Sequence, residues 1–301
     1  MARPALHYID SPKQLPAPPR EGRIVTLDLA FAAGDRYEKA TRPFIEAVGD
    51  RLAAWIDHHP HPAWSAYEGD PRFVLVDKAT APACPQLVTA ERIAAAGVVD
   101  HVFGHADFDG WLSTVKWLNG GVEPWPGADE DARAIDAPGQ GFKCSAKGQR
   151  LADAVARSRD ASSSKHEAFL RALAEAALAG EEPEPLKHKI DSLAGEARAR
   201  RAAIEGMLAD ARQDHPEILV LTLPKLISPA DKKFLLQALE ERARVGVIEE
   251  PSAVTVATFD GSLRLTRVKG LHGTDGFAWG KAKYAEIRDS LIREIEERSK
   301  E

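Results

Sequence analysis

Four short apolar runs, each leading into an acidic residue or an acid-rich turn, set the strongest constraint on how this chain can fold. Residues 24–27 run into Asp28, 52–56 into Asp57, 73–76 into Asp77, and 98–103 into a cluster that begins at His105. Runs of this length read as buried strands. Helical stretches lie between them, over 37–48 and 85–96, and that alternation predicts a parallel sheet with helices on its faces. Core packing does not ask for an acid at every strand end. A site does, because open α/β sheets place their sites in the crevice beyond the carboxyl ends of the strands.

Two of these ends carry compact clusters of histidine and acid. In residues 104–110, Gly-His-Ala-Asp-Phe-Asp-Gly, His105, Asp107 and Asp109 alternate along a turn. In residues 55–59, Trp-Ile-Asp-His-His, the cluster is Asp57, His58 and His59, and Asp28 stands 29 residues before Asp57. Imidazole and carboxylate converging without thiolate suit Mn²⁺ or Mg²⁺ better than a structural zinc. A helix over 110–118 follows the acidic turn, with Leu112, Val115 and Leu118 on one face, and its N-terminus favours an anion nearby.

The chain has 301 residues, 44% hydrophobic and 29% charged, with a net charge of −6. That length accommodates two domains, and the acidic balance excludes a protein that coats nucleic acid through a broad basic surface. The cysteines are Cys84 and Cys144, in neither a CxxC pair nor a zinc spacing. No stretch reads as a signal peptide or membrane span, so a reduced, cytoplasmic protein with no membrane partner is expected. The fold class expected is α/β, with a parallel-sheet catalytic domain flanked by helices and a smaller C-terminal α/β domain. The first domain is placed at 1–180, beginning with a proline-rich extended arm over 1–22. A helical linker is placed at 181–214 and the second domain at 215–301. Strands are expected there at 218–223, 245–248, 254–259 and 263–268, with helices at 229–244 and 284–301.

In the second domain Arg264, Arg267 and Lys269 lie along the 263–268 run and just past it, Arg267 and Lys269 on one side if it is a strand. With His272 they form a candidate grip for a phosphate or base, and a solvated strand face is the plainer alternative. Phe277 and Trp279 could stack on a base or fill the core.

Taken together, His105-x-Asp107-x-Asp109-Gly110-x-x-Ser113, Asp57-His58-His59 and Asp28 resemble the DHH superfamily of metal-dependent phosphoesterases. More weakly, residues 271–276 resemble the glycine-rich turn of the substrate-binding domain that accompanies it. The motif order is reversed here, which makes the chain look like a circular permutant of the catalytic domain. The resemblance implies two Mn²⁺ or Mg²⁺ ions, one on His105, Asp107 and Asp28, the other on Asp109, Asp28, His58 and a further aspartate. Asp136 is the first choice for the last ligand, with Asp77, Asp129 and Asp131 as alternatives. It implies that His59 contacts the phosphoryl oxygen or leaving group and that Asp57 orients the histidines. The implied reaction is hydrolysis of a phosphate ester in a small nucleotide-type substrate, such as a short single-stranded oligonucleotide, a cyclic dinucleotide or a nucleotide phosphate. The competing reading is a non-catalytic sensor that keeps the nucleotide or metal site.

Overall fold

The structure, a computed structural model, describes residues 3–137 and 141–298. Two residues of the expected arm and the last three of the expected terminal helix lie outside that range. Gly141 aside, which groups with the second, the chain divides into two units, the first ending at Ala197 and the second beginning at Arg198.

The first unit carries the strands β1 (Ala5–Ile9), β2 (Ile24–Leu27), β3 (Leu52–Asp57), β4 (Phe73–Leu75) and β5 (His101–His105). They form one sheet in the order β1-β5-β2-β3-β4, and every pairing is parallel. The proline-rich opening segment is therefore not a surface arm: β1 pairs with β5 along five residues, Ala5 with His101 through Ile9 with His105. The central strands are buried on both faces. Val25, Leu27, Ile56 and Val102 pack into one cluster, and Ile24, Trp55 and Phe103 into another with Phe44 and Phe31. This is the packing that continuous apolar runs demand in a helix-covered parallel sheet.

The helices of this unit are α1 (Arg42–Val48), α2 (Ala90–Ala96), α3 (Phe108–Leu118), α4 (Ala128–Asp136), α5 (Ala146–Ser158), α6 (Ser163–Ala179) and α7 (Glu184–Glu205), the last crossing into the second unit. Phe108, Trp111, Leu112 and Val115 of α3 form a core with Leu151 and Val155 of α5 and Phe169, Leu170 and Leu173 of α6. That core holds α3 against the sheet.

The second unit has a mixed sheet of β6 (Arg212–His215), β7 (Ile218–Thr222), β8 (Val245–Glu250), β9 (Ala253–Ala257), β10 (His272–Gly273) and β11 (Phe277–Gly280), in the order β10-β11-β9-β8-β7-β6. Helices α8 (Pro229–Glu240) and α9 (Tyr284–Arg298) complete it. The structure corrects one expected element. The run at 263–268 is no strand; its centre, Leu265–Arg267, is a single 3-10 turn with Leu263, Leu265 and Val268 in the core. Apolar spacing there reflects anchoring of a turn, so the side-alternation expected for Arg264, Arg267 and Lys269 does not hold. Both units are α/β as expected, and among the described residues no helix is long and apolar enough to cross a membrane.

Candidate metal centre

Register brings the acidic ends of three adjacent strands to one level. Leu27 of β2 lies opposite Ile56 of β3 and Gly104 of β5, so Asp28, Asp57 and His105, one residue further along each, stand side by side. Asp28 takes a left-handed backbone conformation, φ 59°, which no other described residue except glycine adopts. Its amide donates to the Ile56 carbonyl at 2.8 Å. A non-glycine residue held there is strained, and such strain gathers at functional sites because the surroundings must enforce it.

The turn after β5 is shaped by its own carboxylate. Asp107 caps α3, its Oδ1 accepting from the Gly110 amide at 3.0 Å. Gly110 has no room for a side chain, since a Cβ there would lie 2.7 Å from both the amide nitrogen and the Cβ of His105. The glycine thus lets the first turn of α3 pack directly on the strand end, and Asp109, 4% exposed, turns inward.

Around this level the side chains form overlapping groups. His58 Nε2 lies 3.2 Å from Asp28 Oδ1, 3.2 Å from Asp109 Oδ2 and 3.6 Å from Asp136 Oδ2. His105 Nδ1 lies 2.8 Å from Asp107 Oδ2 and 3.7 Å from Asp28 Oδ2. His59 Nδ1 lies 2.8 Å from Asp57 Oδ1 and 3.7 Å from Asp28 Oδ1. Three sets of donors are spaced to hold a cation: Asp28 with His105 and Asp107, His58 with Asp109 and Asp136, and Asp28 with His58 and His59.

The donors fit divalent cations by a second criterion. Both Asp28 oxygens, Asp109 Oδ1, His58 Nε2 and His105 Nδ1 are buried without a hydrogen-bond partner. Buried polar atoms are nearly always paired, and a convergent group of orphans is what an ion accounts for. Oxygen and imidazole donors without thiolate suit Mn²⁺ or Mg²⁺. Electrostatics agree. Burial works to lower the pKa of His58 and of His105, yet the carboxylates win, pushing His58 up to about 11 through Asp109 and Asp28, and His105 up to about 10 through Asp107 and Asp28. Burial and then the neighbouring Asp28 raise Asp109 above the ordinary carboxylate range. Without a cation the cluster must hold protons to lower its own charge.

Surrounding residues fix these donors. The Ala81 carbonyl lies 2.9 Å from His58 Nδ1 and so takes that N–H, aiming Nε2 at the carboxylates. The Cys84 amide donates to Asp109 Oδ2 at 3.0 Å. On the far side His166 Nε2 lies 2.9 Å from the carbonyl of Ala106, between His105 and Asp107, and His166 Nδ1 lies 2.7 Å from Ser158 Oγ. Burial holds His166 below its ordinary pKa. As a neutral ring it has one N–H, which the Ala106 carbonyl claims.

The structure thus gathers Asp28, Asp57, His58, His59, His105, Asp107, Asp109 and Asp136 into one centre. The other aspartates weighed for the last ligand lie apart. Asp77 is exposed and accepts from the Ala79 amide, Asp129 pairs with Lys116 at 2.5 Å, and Asp131 takes the Trp125 indole, the Ser145 amide and the Ser145 hydroxyl. Arg264, Arg267, Lys269 and His272 are exposed in the second unit, at the 3-10 turn and the β10–β11 hairpin. Phe277 and Trp279 are each 45% exposed, on one face of β11, with His272 edge-on to Trp279. Sequence reasoning missed Lys78, whose Nζ lies 2.6 Å from Asp136 Oδ2, and His166. A lone lysine and a lone helical histidine carry no motif.

No protein-family model matches the sequence, and a search of curated proteins finds no match. Among solved structures the chain is similar to a pGpG-specific phosphodiesterase, PggH from Vibrio cholerae, with a TM-score of 0.46 at 10% identity, covering 92% of this chain and 100% of that one. It is also similar to the exonuclease RecJ bound to manganese, with a TM-score of 0.39 at 15% identity, covering 92% and 75%. RecJ from Thermus thermophilus in complex with Mn²⁺ gives a TM-score of 0.36 at 15% identity, covering 92% of this chain and 45% of that one.

Proposed function

We propose that this chain is a divalent-metal-dependent phosphohydrolase of the DHH superfamily, with the two halves of its catalytic domain in permuted order, acting on a phosphate ester in a small nucleotide-type substrate. The observation that carries this reading is the set of buried, unpartnered oxygens and nitrogens on Asp28, His58, His105 and Asp109, gathered at adjacent strand ends. The permutation is supported by the sheet order, in which β2, ending at Asp28, lies between β5 and β3, so that motifs reversed along the chain reach the same edge of the sheet on either side of it.

His105, Asp107 and Asp28 would hold one ion, and Asp109, His58 and Asp136 the other, with Asp28 within reach of both groups. A pair of Mn²⁺ or Mg²⁺ ions supplies Lewis acidity toward phosphoryl oxygens and lowers the pKa of water. The chain's own residues supply the rest. Asp57, fully buried, fixes the His59 ring through Nδ1, and the side chain is 32% exposed, which leaves Nε2 to meet a phosphoryl or leaving-group oxygen. His58 cannot take that role, because Ala81 turns its Nε2 into the cluster. In the second unit Arg264, Arg267, Lys269 and His272 are the proposed contacts for a phosphate, with Phe277 and Trp279 for a base.

The test is Mn²⁺-dependent hydrolysis of an aryl phosphodiester, a dinucleotide, a cyclic dinucleotide and pyrophosphate, with Asp109→Ala beside the wild type. Turnover of at least one substrate, lost in the variant, is expected. Nucleotide binding without turnover of any of them would overturn the enzymatic reading in favour of a sensor.

A further inference from the structure

The two main donor groups of the centre differ in one respect. Among the described residues no lysine or arginine is in ion-pair contact with Asp28, His105 or Asp107, Arg159 and Lys78 acting there only at longer range, whereas Lys78 makes a direct ion pair within the group formed by His58, Asp109 and Asp136. Its ammonium sits 2.6 Å from Asp136 Oδ2, and that same oxygen is the one facing His58 Nε2 at 3.6 Å. Lys78 therefore occupies the oxygen that a cation in this group would need.

The arrangement is built into the backbone. Lys78 lies on a tight turn closed by the amides of Thr80 and Ala81, both bonded to the Asp77 carbonyl at 2.9 Å, and by the Ala79 amide on Asp77 Oδ1. The same turn presents the Ala81 carbonyl to His58. One segment thus delivers a ligand-orienting acceptor and a competing cation to one donor group. The pair is only partly exposed, 38% for Lys78 and 18% for Asp136, so water screens it less than a surface pair. A lysine ammonium is a point charge on a flexible stem, able to swing away without unravelling the turn that carries it.

We propose that Lys78 is a resident counter-cation that makes the two metal positions unequal. Divalent ions load first at Asp28, His105 and Asp107, and enter the His58, Asp109 and Asp136 group only as the ammonium leaves Asp136. The inference rests on the metal reading above and deepens it: the second position, not the first, governs the metal dependence of the protein.

The experiment is a Mn²⁺ titration of the purified protein, followed by the electron paramagnetic resonance signal of free Mn²⁺ and by calorimetry, with no substrate present. Wild type is expected to show one tight and one weak site. In Lys78→Met the weak site tightens by about tenfold or more, because like-charge repulsion at contact distance is removed. Lys78→Arg retains the weak site, and Asp136→Asn added to Lys78→Met abolishes the gain. Lys78→Gln serves as the neutral variant if circular dichroism shows Lys78→Met to be unfolded. A neutral variant that leaves the weak site unchanged, or weakens it further, overturns the inference while leaving the metal reading intact, since it would make Lys78 a strut for Asp136. Two equal sites in the wild type overturn it as well. Absence of any Mn²⁺ binding overturns the metal reading, and this inference with it.

Discussion

The turn after β5 and the β10–β11 hairpin both concentrate histidine, charge and glycine, yet they are opposite kinds of surface. At the turn Asp109 Oδ1 and His105 Nδ1, with both oxygens of Asp28 at the neighbouring end of β2, are buried without hydrogen-bond partners, so the structure carries a demand that an added cation or proton meets. At the hairpin the groups sit in water or pair locally. Arg264 reaches Asp275 at 3.6 Å, the Thr266 hydroxyl bonds to the same carboxylate, and the Thr274 amide bonds to the Phe277 carbonyl. A buried unmet demand commits a region to one chemistry, whereas a solvated cluster costs nothing when idle and tunes affinity only.

The sharpest way to break that contrast is Asp109→Ala, which should reduce Mn²⁺-dependent hydrolysis to background and remove Mn²⁺ binding at its group while the circular dichroism spectrum stays native. If turnover survives, the turn is as dispensable as the hairpin.

Next in size is a pH effect. The folded, cation-free chain keeps protons on His58 and His105 up to about 11 and about 10, whereas the unfolded chain gives them up near the ordinary histidine value of about 6.5. That contribution to stability is whole below pH 6.5 and falls away as pH rises through the folded values. Melting temperature without metal should therefore drop as pH is raised from 6.5 to 9. The increment added by Mn²⁺ should grow over the same interval, since the metal displaces those protons. An increment that shrinks with pH would place the cation elsewhere.

His166→Ala tests support of the turn from behind. Loss of an outer partner of a metal site typically costs about 10- to 100-fold in affinity or activity, and Mn²⁺ titration should show that loss at the Asp28, His105 and Asp107 group. Trp279→Ala should have the smallest effect: a higher KM for a nucleotide substrate, by about 1–3 kcal/mol for one stacked base, with kcat and Mn²⁺ affinity unchanged. A fall in kcat instead would show that the hairpin takes part in the chemistry.

Much of the first unit was legible because its code is local. Each apolar run, at β2, β3 and β5, lies within a few residues of the acid or histidine that follows it, and α3 starts directly after the last of these. What escaped was long-range or carried by the backbone. Strand β1 hides beside prolines and acquires its partner from nearly a hundred residues away, Ala5 against His101. Lys78 meets Asp136 across 58 positions and His166 meets Ala106 across 60. The Ala81 carbonyl that orients His58 has no side chain to announce it. In the second unit the 263–268 run misled because buried leucines at spacings of two suit a turn pinned to a core as well as a strand.

The position of β5 also has a bearing on how the first sheet is made. Among the described residues β1 pairs with no strand but β5, and β2 meets β1 through it. A chain emerging from its N-terminus must therefore hold β1 unpartnered and one edge of β2 open until residues 101–105 arrive to wedge between them. Open strand edges invite pairing with other chains, and late long-range closure slows folding. The same delay has a benefit. Asp28 and His58 cannot meet His105, Asp107 and Asp109 until the sheet itself is closed, so the donor groups of the proposed centre come together only as the fold completes.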